Sequence, residues 1–467
     1  MTLPRSIFRA SLMICAAFAY VGSADAAQSE QPGVDKASEV KRIGAFYQQH
    51  YGFNGEIVLA HGSAILTDQA YGLAHIELPV ALVPGTRFAI GSFTKQFTAV
   101  AILWLQDHGK LKVTDRIGSH LPAPVPASWA NITIEQLLVH SSGIPDDVLM
   151  DDYPQFLSGQ HTPSELIHAV QDKPLKFVPG SQNDYTNIEY VILGSIVERA
   201  SGESWADFMR SHFINPLHLQ DTGIGGAPQV VERLASGYVP TQGALTKAVT
   251  ADPSVLGAAG SMYSTGADLA TWVAALQAGK VIKPATLKAM QTPRNDTAGY
   301  GAFIETLSGV RVVGHGGDLP GFHTQVYYFP DSGDTAVVLS NISRSKPLES
   351  PGSYGVTNEI LELEADPNGI RPSTGGSAHV DEAVRRALAG TYAADGSTTT
   401  LKVTMDGDGL AMAPVTEPSR TVHLRAEATD KFYAAERNME VEFKDGAMIV
   451  YDYTFEQRTV WRRADSH

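Results

Sequence analysis

The chain has one cysteine in 467 residues, Cys15. It lies inside an apolar run that follows Arg5 and Arg9 and ends at Val21. Gly22, Ser23, Ala24, Asp25 and Ala26 then supply a small-residue site of the A-x-A type. A positive start, a short apolar run and such a site read as a secretory signal peptide over 1–26, cleaved after Ala26. The run falls short of the roughly 20 apolar residues that a spanning helix needs, so no stable membrane span is expected. Ile14 stands before Cys15 where a lipid-attachment site calls for a small residue. Without 1–26 the mature chain holds no thiol, which excludes disulfides and cysteine–zinc sites. Export without disulfides fits a bacterial periplasm, and the fold must then stand on its core alone.

Positive charge is scarce as well. Thirty-five Lys and Arg face 50 Asp and Glu, for a net charge of −15. Phosphate binding needs surplus cations, so nucleic acid is not expected as a partner, nor is a polybasic membrane patch. Several motifs are missing. No serine sits in G-x-S-x-G, which excludes the nucleophile elbow of α/β-hydrolases. No H-E-x-x-H, Walker A loop or G-x-G-x-x-G fingerprint occurs. The 15 histidines show no ligand spacing beside a carboxylate cluster, so neither a metal nor a cofactor is expected.

What is present is an α+β pattern. Gly55–Ala60 and Ala64–Thr67 read as strands joined at His61-Gly62-Ser63, with one face of the first more apolar than the other. Helices are predicted over Gly91–Gly109, Tyr190–Ala200 and Asp268–Ala278. Strands return at Val310–Val313, Thr324–Phe329 and Thr335–Ser340, followed by a helix over Tyr354–Glu364. Strands at both ends with helices between predict an antiparallel sheet flanked by helices, plus a helical region. Asp366-Pro367-Asn368-Gly369 and Pro372 to Ser377 mark a linker over 366–380. Beyond Asp381 short alternating strands and Asp-Gly turns predict a small all-β, barrel-like domain over 381–467. The catalytic domain is thereby assigned to 27–365.

Three segments carry chemistry. Ser92-Phe93-Thr94-Lys95 is one of three S-x-x-K matches, the others being at Ser38 and Ser343. Only Ser92 opens an apolar helix. Positions i and i+3 share a helix face, so Ser92 and Lys95 can touch. A helix N-terminus favours developing negative charge, and a lysine near a core has a depressed pKa and can handle the serine proton. Tyr185-Thr186-Asn187 precedes the helix at Tyr190. Beside a positive lysine the Tyr185 phenolate would be favoured, giving a general base. Asn187 can donate and accept, holding Lys95 and a substrate carbonyl together. Gly314-His315-Gly316-Gly317-Asp318 follows a strand. Its glycines admit a substrate backbone, and its edge offers an oxyanion donor to pair with the Ser92 N–H. Each element alone also suits a structural role: a rim Ser and Lys, a turn Tyr and Asn, a glycine-rich bend with an incidental His. His140 is read as a structural partner for a turn.

S-x-x-K, Y-x-N and an H-G-G or K-T-G triplet, in that order, resemble the penicillin-recognising serine hydrolases of the class C β-lactamase type. That group includes D-alanyl-D-alanine carboxypeptidases, D-aminopeptidases and related esterases. Leu137 to Pro145 is similar to the family's L-L-x-H-x-S-G-[IL]-P segment, and Gly260 to Ala270 resembles its G-G-x-x-S-T-x-x-D-L-A segment. The resemblance implies Ser92 as acylated nucleophile, Lys95 as activator, Tyr185 as base, Asn187 as orienting amide and His315 in the place of the triplet's Lys or His. It implies an oxyanion hole from the N–H groups of Ser92 and Asp318, with Gly316 and Gly317 along the substrate. His315 and Gly316 replace a lysine and a hydroxyl residue, and Asn183 and Thr186 also depart from the pattern. The first two changes argue against efficient β-lactam hydrolysis, because histidine is often neutral at pH 7. The expected activity is hydrolysis of a small-molecule or peptide amide or ester, by a D-amino-acid peptidase, carboxypeptidase or small-ester esterase. The alternatives are a β-lactamase and a penicillin- or peptide-binding protein that does not turn over. Oligomeric state is left open by the sequence.

Overall fold

A computed structural model describes residues 34–464, except for 123–124, 147–158, 226–229, 242–243, 250–251, 296, 344–351, 368–378, 395–398, 427, 435–438 and 453–456. The expected signal peptide and most of the expected linker lie outside the described residues. The described residues begin with a helix that the sequence analysis did not predict, α1 (Lys36–Tyr51). The Asp35 side chain accepts from Ala37 N, and Gly52 ends the helix at φ 64°, a left-handed conformation that costs glycine little. Val40, Ile43 and Tyr47 recur at helical spacing and are buried.

Two strands follow, β1 (Gly55–His61) and β2 (Ala64–Tyr71). Three helices build the heart of the helical region: α2 (Thr94–Asp107), α3 (Ile188–Ser201) and α4 (Gly266–Gln277). Then come β3 (Phe303–Leu307), β4 (Val310–Leu319), β5 (Phe322–Phe329), β6 (Asp334–Ser340) and the helix α5 (Gly352–Ala365). The six strands form one sheet in the order β3-β4-β5-β6-β1-β2. Every pairing is antiparallel, and early and late segments meet where Gly55 faces Ser340 and His61 faces Asp334. The structure is thus the antiparallel sheet flanked by helices that the sequence predicts.

The central strands are covered on both faces. Val58, Val337 and Leu339 join the large core with α2, α3 and α4. Alternate residues, Ile57 and Leu59 among them, are buried outside that core, where α1 and α5 pack on the sheet. Lys36 Nζ reaches Asp334 at 2.7 Å and Glu364 at 2.8 Å, tying the start of α1 to β6 and α5. Both faces of β1 are buried, and the face opposite Ile57 and Leu59 carries Glu56, which is fully buried too. Its carboxyl accepts from Gly266 N at 3.2 Å and Gly85 N at 3.4 Å. Burial, with Asp68 beside it, pushes its pKa well above the usual carboxylate range.

After a short helix, α6 (Glu382–Leu388), which an all-β reading did not anticipate, eight described strands close into a barrel. They are β7 (Gly390–Ala394), β8 (Thr400–Asp406), β9 (Gly409–Pro414), β10 (Val422–Ala426), β11 (Lys431–Ala434), β12 (Met439–Lys444), β13 (Ala447–Asp452) and β14 (Gln457–Arg463). Tyr392 pairs with Arg463, joining first strand to last and leaving no open edge. Leu410, Leu424, Phe432, Val441 and Met448 belong to its core. Arg425 of β10 sets its guanidinium 5.5 Å from the Phe46 ring centroid and 5.6 Å from that of Tyr51, both on α1, and donates to the Tyr51 hydroxyl at 3.1 Å. Among the described residues no helix is long and apolar enough to cross a membrane.

Candidate active site

The helix predicted from Gly91 begins instead as a 3-10 turn, Gly91–Phe93, that runs straight into α2. Ser92 lies in this turn and is partly exposed. Gly91 has φ 50°, and a Cβ on it would stand 3.1 Å from Asp318 N. The turn is therefore shaped to touch β4. Every residue of α2 from Thr94 to Leu103 is buried, as expected of a helix that is a core element rather than a surface one.

That burial takes Lys95 out of water completely. Its Nζ lies 3.0 Å from Ser92 Oγ, 2.8 Å from Asn187 Oδ1 and 2.9 Å from the Ala259 carbonyl oxygen. The Tyr185 and Tyr190 ring centroids are 4.9 and 5.7 Å from it. Desolvation lowers the Lys95 pKa to about 7, against an opposing pull from Asp146 and Glu189. Near pH 7 the amine is then neutral in a large fraction of molecules. A neutral amine has two N–H groups and one lone pair. Asn187 and Ala259 take the two N–H groups, which leaves the lone pair for the Ser92 hydroxyl.

Tyr185 exposes 43% of its surface, yet its hydroxyl end is turned inward toward Ser92. Burial of that end pushes its pKa up, with Asp146, Asp318 and Glu189 adding to the rise. Sequence reasoning favours a phenolate beside a positive lysine; the fold works against both charges and keeps Tyr185 protonated.

Asn187 caps α3 without a side-chain bond of its own. The cap comes from Asp146, whose carboxylate accepts from Asn187 N at 2.9 Å, Asn187 Nδ2 at 3.3 Å and Ile188 N at 3.1 Å. Next to it Glu189 accepts from Ser142 N at 3.1 Å and Ser142 Oγ at 2.5 Å, and lies 2.7 Å from His140 Nδ1. His140 is at φ 58°, and its carbonyl accepts from Asp184 N at 2.9 Å. It holds the turn before Tyr185. Sequence reasoning missed Asp146 and Glu189. Asp146 follows a Gly-Ile-Pro that marks a loop, but its partners come about forty residues later, and nothing local points to them.

The triplet does not bend, as a glycine-rich hairpin would. It lies inside β4, which runs unbroken to Leu319. β3 pairs with β4 only as far as Gly314, opposite Phe303. From His315 onward that edge runs along the Ser92 turn. A Cβ on Gly317 would lie 2.0 Å from the Ile90 carbonyl oxygen and 3.0 Å from Ser92 N. Glycine is needed at 317 for this approach, which sets the backbone of Asp318 beside Ser92. Gly316 turns the other way, toward the Gln325 amide. His315 is buried, with ring centroids 5.1 Å from Phe303 and 6.3 Å from Tyr185. Its Nδ1 sits 2.5 Å from the Gly316 carbonyl oxygen. Burial, and then the Lys95 charge, lower its pKa to about 3. The ring is thus neutral, with Nδ1–H donating to Gly316 and Nε2 left as an acceptor. The structure therefore gathers Ser92, Lys95, Tyr185, Asn187 and His315 around one point, with Asp318 adjoining. Among the described residues no group of three or more His, Cys, Asp or Glu is placed to hold a metal.

The Beta-lactamase family model matches residues 41–354. Over 319 residues the chain is 29% identical to the putative penicillin-binding protein PbpX of Bacillus subtilis (strain 168), covering 68% of this chain and 76% of that protein. Over 439 residues it is 25% identical to penicillin-binding protein 4* of the same organism, covering 87% and 95%. The solved structure of D-amino acid amidase from Ochrobactrum anthropi SV3, complexed with L-phenylalanine amide, superposes with a TM-score of 0.63 at 23% identity, covering 71% of this chain and 100% of that one. With the family model spanning more than half of its length, the chain belongs to the Beta-lactamase family and is a serine hydrolase.

Proposed function

We propose that this enzyme cleaves a small amide or ester, of the kind presented by D-amino-acid derivatives, through an acyl-enzyme on Ser92. One observation carries the reading: the Lys95 amine is sealed from water, is held at a pKa of about 7, and stands 3.0 Å from Ser92 Oγ. A base poised near the working pH does the most general-base catalysis.

Neutral Lys95 takes the proton from Ser92 Oγ as the oxygen attacks the substrate carbonyl. The carbonyl oxygen, now negative, is received by the N–H groups of Ser92 and Asp318, which are fixed before reaction begins. Tyr185, kept protonated by burial, gives its proton to the leaving group and regains one from the Lys95 ammonium. Water then enters the leaving group's place and yields its proton along the same path, releasing the acid and restoring Ser92. Neutral His315 shapes this corner without adding charge. It offers no cation for a substrate carboxylate, which supports amides and esters over β-lactams. A relative solved as a D-amino acid amidase supports the same class. Export by the 1–26 segment and an accessory role for 381–467 belong to this reading.

Intact-mass measurement after a fluorophosphonate probe tests it. Wild type gains one adduct and Ser92→Ala none. An unlabelled wild type would falsify the activated serine. One equivalent of product from a chromogenic ester, with no turnover after it, would replace the hydrolase by a penicillin-binding type of protein.

A further inference from the structure

We infer that Asp146 is a positioning residue for the catalytic lysine, acting through Asn187 and through its own charge. The inference rests on the Ser92–Lys95 reading above.

Asp146 is 6% exposed and lies in a loop that is part of none of α2, α3 and β4. One carboxylate oxygen receives both Asn187 N and Asn187 Nδ2; the other receives Ile188 N. These bonds have two consequences. They cap α3, whose first turn carries Asn187 and Glu189. They also settle which way the Asn187 amide points. With Nδ2 on Asp146, Oδ1 must face Lys95, and it does so at 2.8 Å. A flipped amide would put a donor against the lysine N–H groups and a carbonyl against a carboxylate, so Asp146 excludes that state.

The charge matters separately. Lys95 is faced by Ser92 in the turn before α2, by Tyr185 and Asn187 just before α3, by Glu189 and Tyr190 in its first turn, by the Ala259 carbonyl, and by His315 on β4. His315 is neutral, and both tyrosines are held protonated by burial. Asp146 and Glu189 are then the anions that offset lysine desolvation. Glu189 is committed to Ser142 and His140. Asp146 reaches the lysine through a single intervening amide. An opposite charge at such range favours the charged form of a neighbour by about 1–3 pH units. Without Asp146 the lysine would stay neutral at lower pH and its proton affinity would fall. It would become a weaker base for the serine.

Asp146→Asn removes the charge but keeps only one acceptor oxygen for the bonds from Asn187 and Ile188, so Asn187→Ala is measured beside it to separate the two consequences. The experiment compares pH profiles of kcat/KM for a chromogenic ester in wild type, Asp146→Asn, Asp146→Glu and Asn187→Ala. Fluorophosphonate titration counts active sites in each preparation, and thermal melting checks the fold. The expected result is an acid limb near pH 7 in wild type that moves down by about 1 unit in Asp146→Asn. kcat should fall about 10- to 100-fold with KM within about threefold. Asp146→Glu keeps the limb in place, and Asp146→Asn still moves the limb down on top of Asn187→Ala, because the charge acts on Lys95 apart from the amide. An acid limb that stays in place in folded, fully titrated Asp146→Asn would overturn the inference while leaving the Ser92 reading intact. A wild type that neither labels nor shows the limb removes the reading itself. If Asp146→Asn fails to melt cooperatively, Asp146→Ser, which also removes the charge, is read in its place: a limb moved down supports the inference, and an unmoved limb overturns it.

Discussion

A Cβ on Gly317 would stand 2.0 Å from the carbonyl oxygen of Ile90. These residues belong to different elements, separated by more than two hundred positions, and they touch through backbone alone. The contact fixes how far the Ser92 turn sits from the edge of β4, and so fixes the pair of N–H groups proposed to receive the oxyanion.

Gly317→Ala is therefore expected to push β4 off the turn. A displacement of about 1 Å at a reacting centre costs on the order of 100-fold in rate. kcat/KM should fall by at least that factor while the melting temperature drops by only a few degrees. An Ala variant with wild-type kcat/KM would show that the N–H pair is not set by this contact.

Lys95→Arg keeps the charge and removes the chemistry. A guanidinium is never deprotonated in proteins, so it has no lone pair for Ser92. Fluorophosphonate labelling is expected to slow by about 1,000-fold or more, the scale at which general-base loss is felt. Labelling at more than a tenth of the wild-type rate would place the base elsewhere.

The pH dependence has a definite sign. In the proposed mechanism the active form of Lys95 is the neutral amine, and burial lowers its pKa to about 7. kcat/KM should rise with pH, pass half-maximum near 7 and level off above it. A rate that declines through the same range would mean that the ammonium form is the active one.

Glu56 predicts a second pH effect, on stability. Its folded pKa is raised well above the ordinary value near 4.3. Between those two values the folded state holds the proton more tightly than the unfolded chain. Stability is then complete at low pH and falls as pH rises through the window. Melting temperatures taken from pH 5 to 8 should decline in wild type and decline less in Glu56→Gln, which keeps an uncharged group in the same space. Equal slopes in the two proteins would count against this account.

Arg425→Ala should loosen the barrel from α1, since it removes contacts with the Phe46 and Tyr51 rings and the bond to the Tyr51 hydroxyl. Such a contact contributes about 1–2 kcal/mol when partly desolvated. Limited proteolysis within 366–380 should speed up by severalfold, with kcat/KM unchanged because α1 adjoins none of the catalytic side chains.

Much of this molecule could be read in the sequence, for physical reasons. S-x-x-K before an apolar helix puts two side chains on one face by helical periodicity alone, and Lys95 does meet Ser92. The antiparallel sheet followed from strands at both ends of the segment, and the barrel from alternation with Asp-Gly turns. The misses have their own causes. Glycines at 314, 316 and 317 broke the apolar alternation that signals a strand, although it was β5 and the Ser92 turn that required them. α1 had its Asp cap, Gly stop and Val40–Ile43–Tyr47 spacing in plain view, but its polar residues masked the pattern. Glu56 is buried on a strand whose other buried residues are apolar, and its partners Gly85 and Gly266 come from distant segments. Asp146 and Glu189 act across folded distance, which no local pattern encodes.

The end-on placement of α2 also divides what a reagent can reach. Ser92 sits where the buried helix meets solvent, and Lys95, one turn further in, has no exposed surface. With Ser92 as the proposed nucleophile, serine-directed electrophiles reach it, while amine-directed reagents pass over the lysine proposed to activate it. Covalent inhibitors of this enzyme have to be selected for how they engage the hydroxyl and the rim around it. The amine shapes their reactivity from within without being available as a handle.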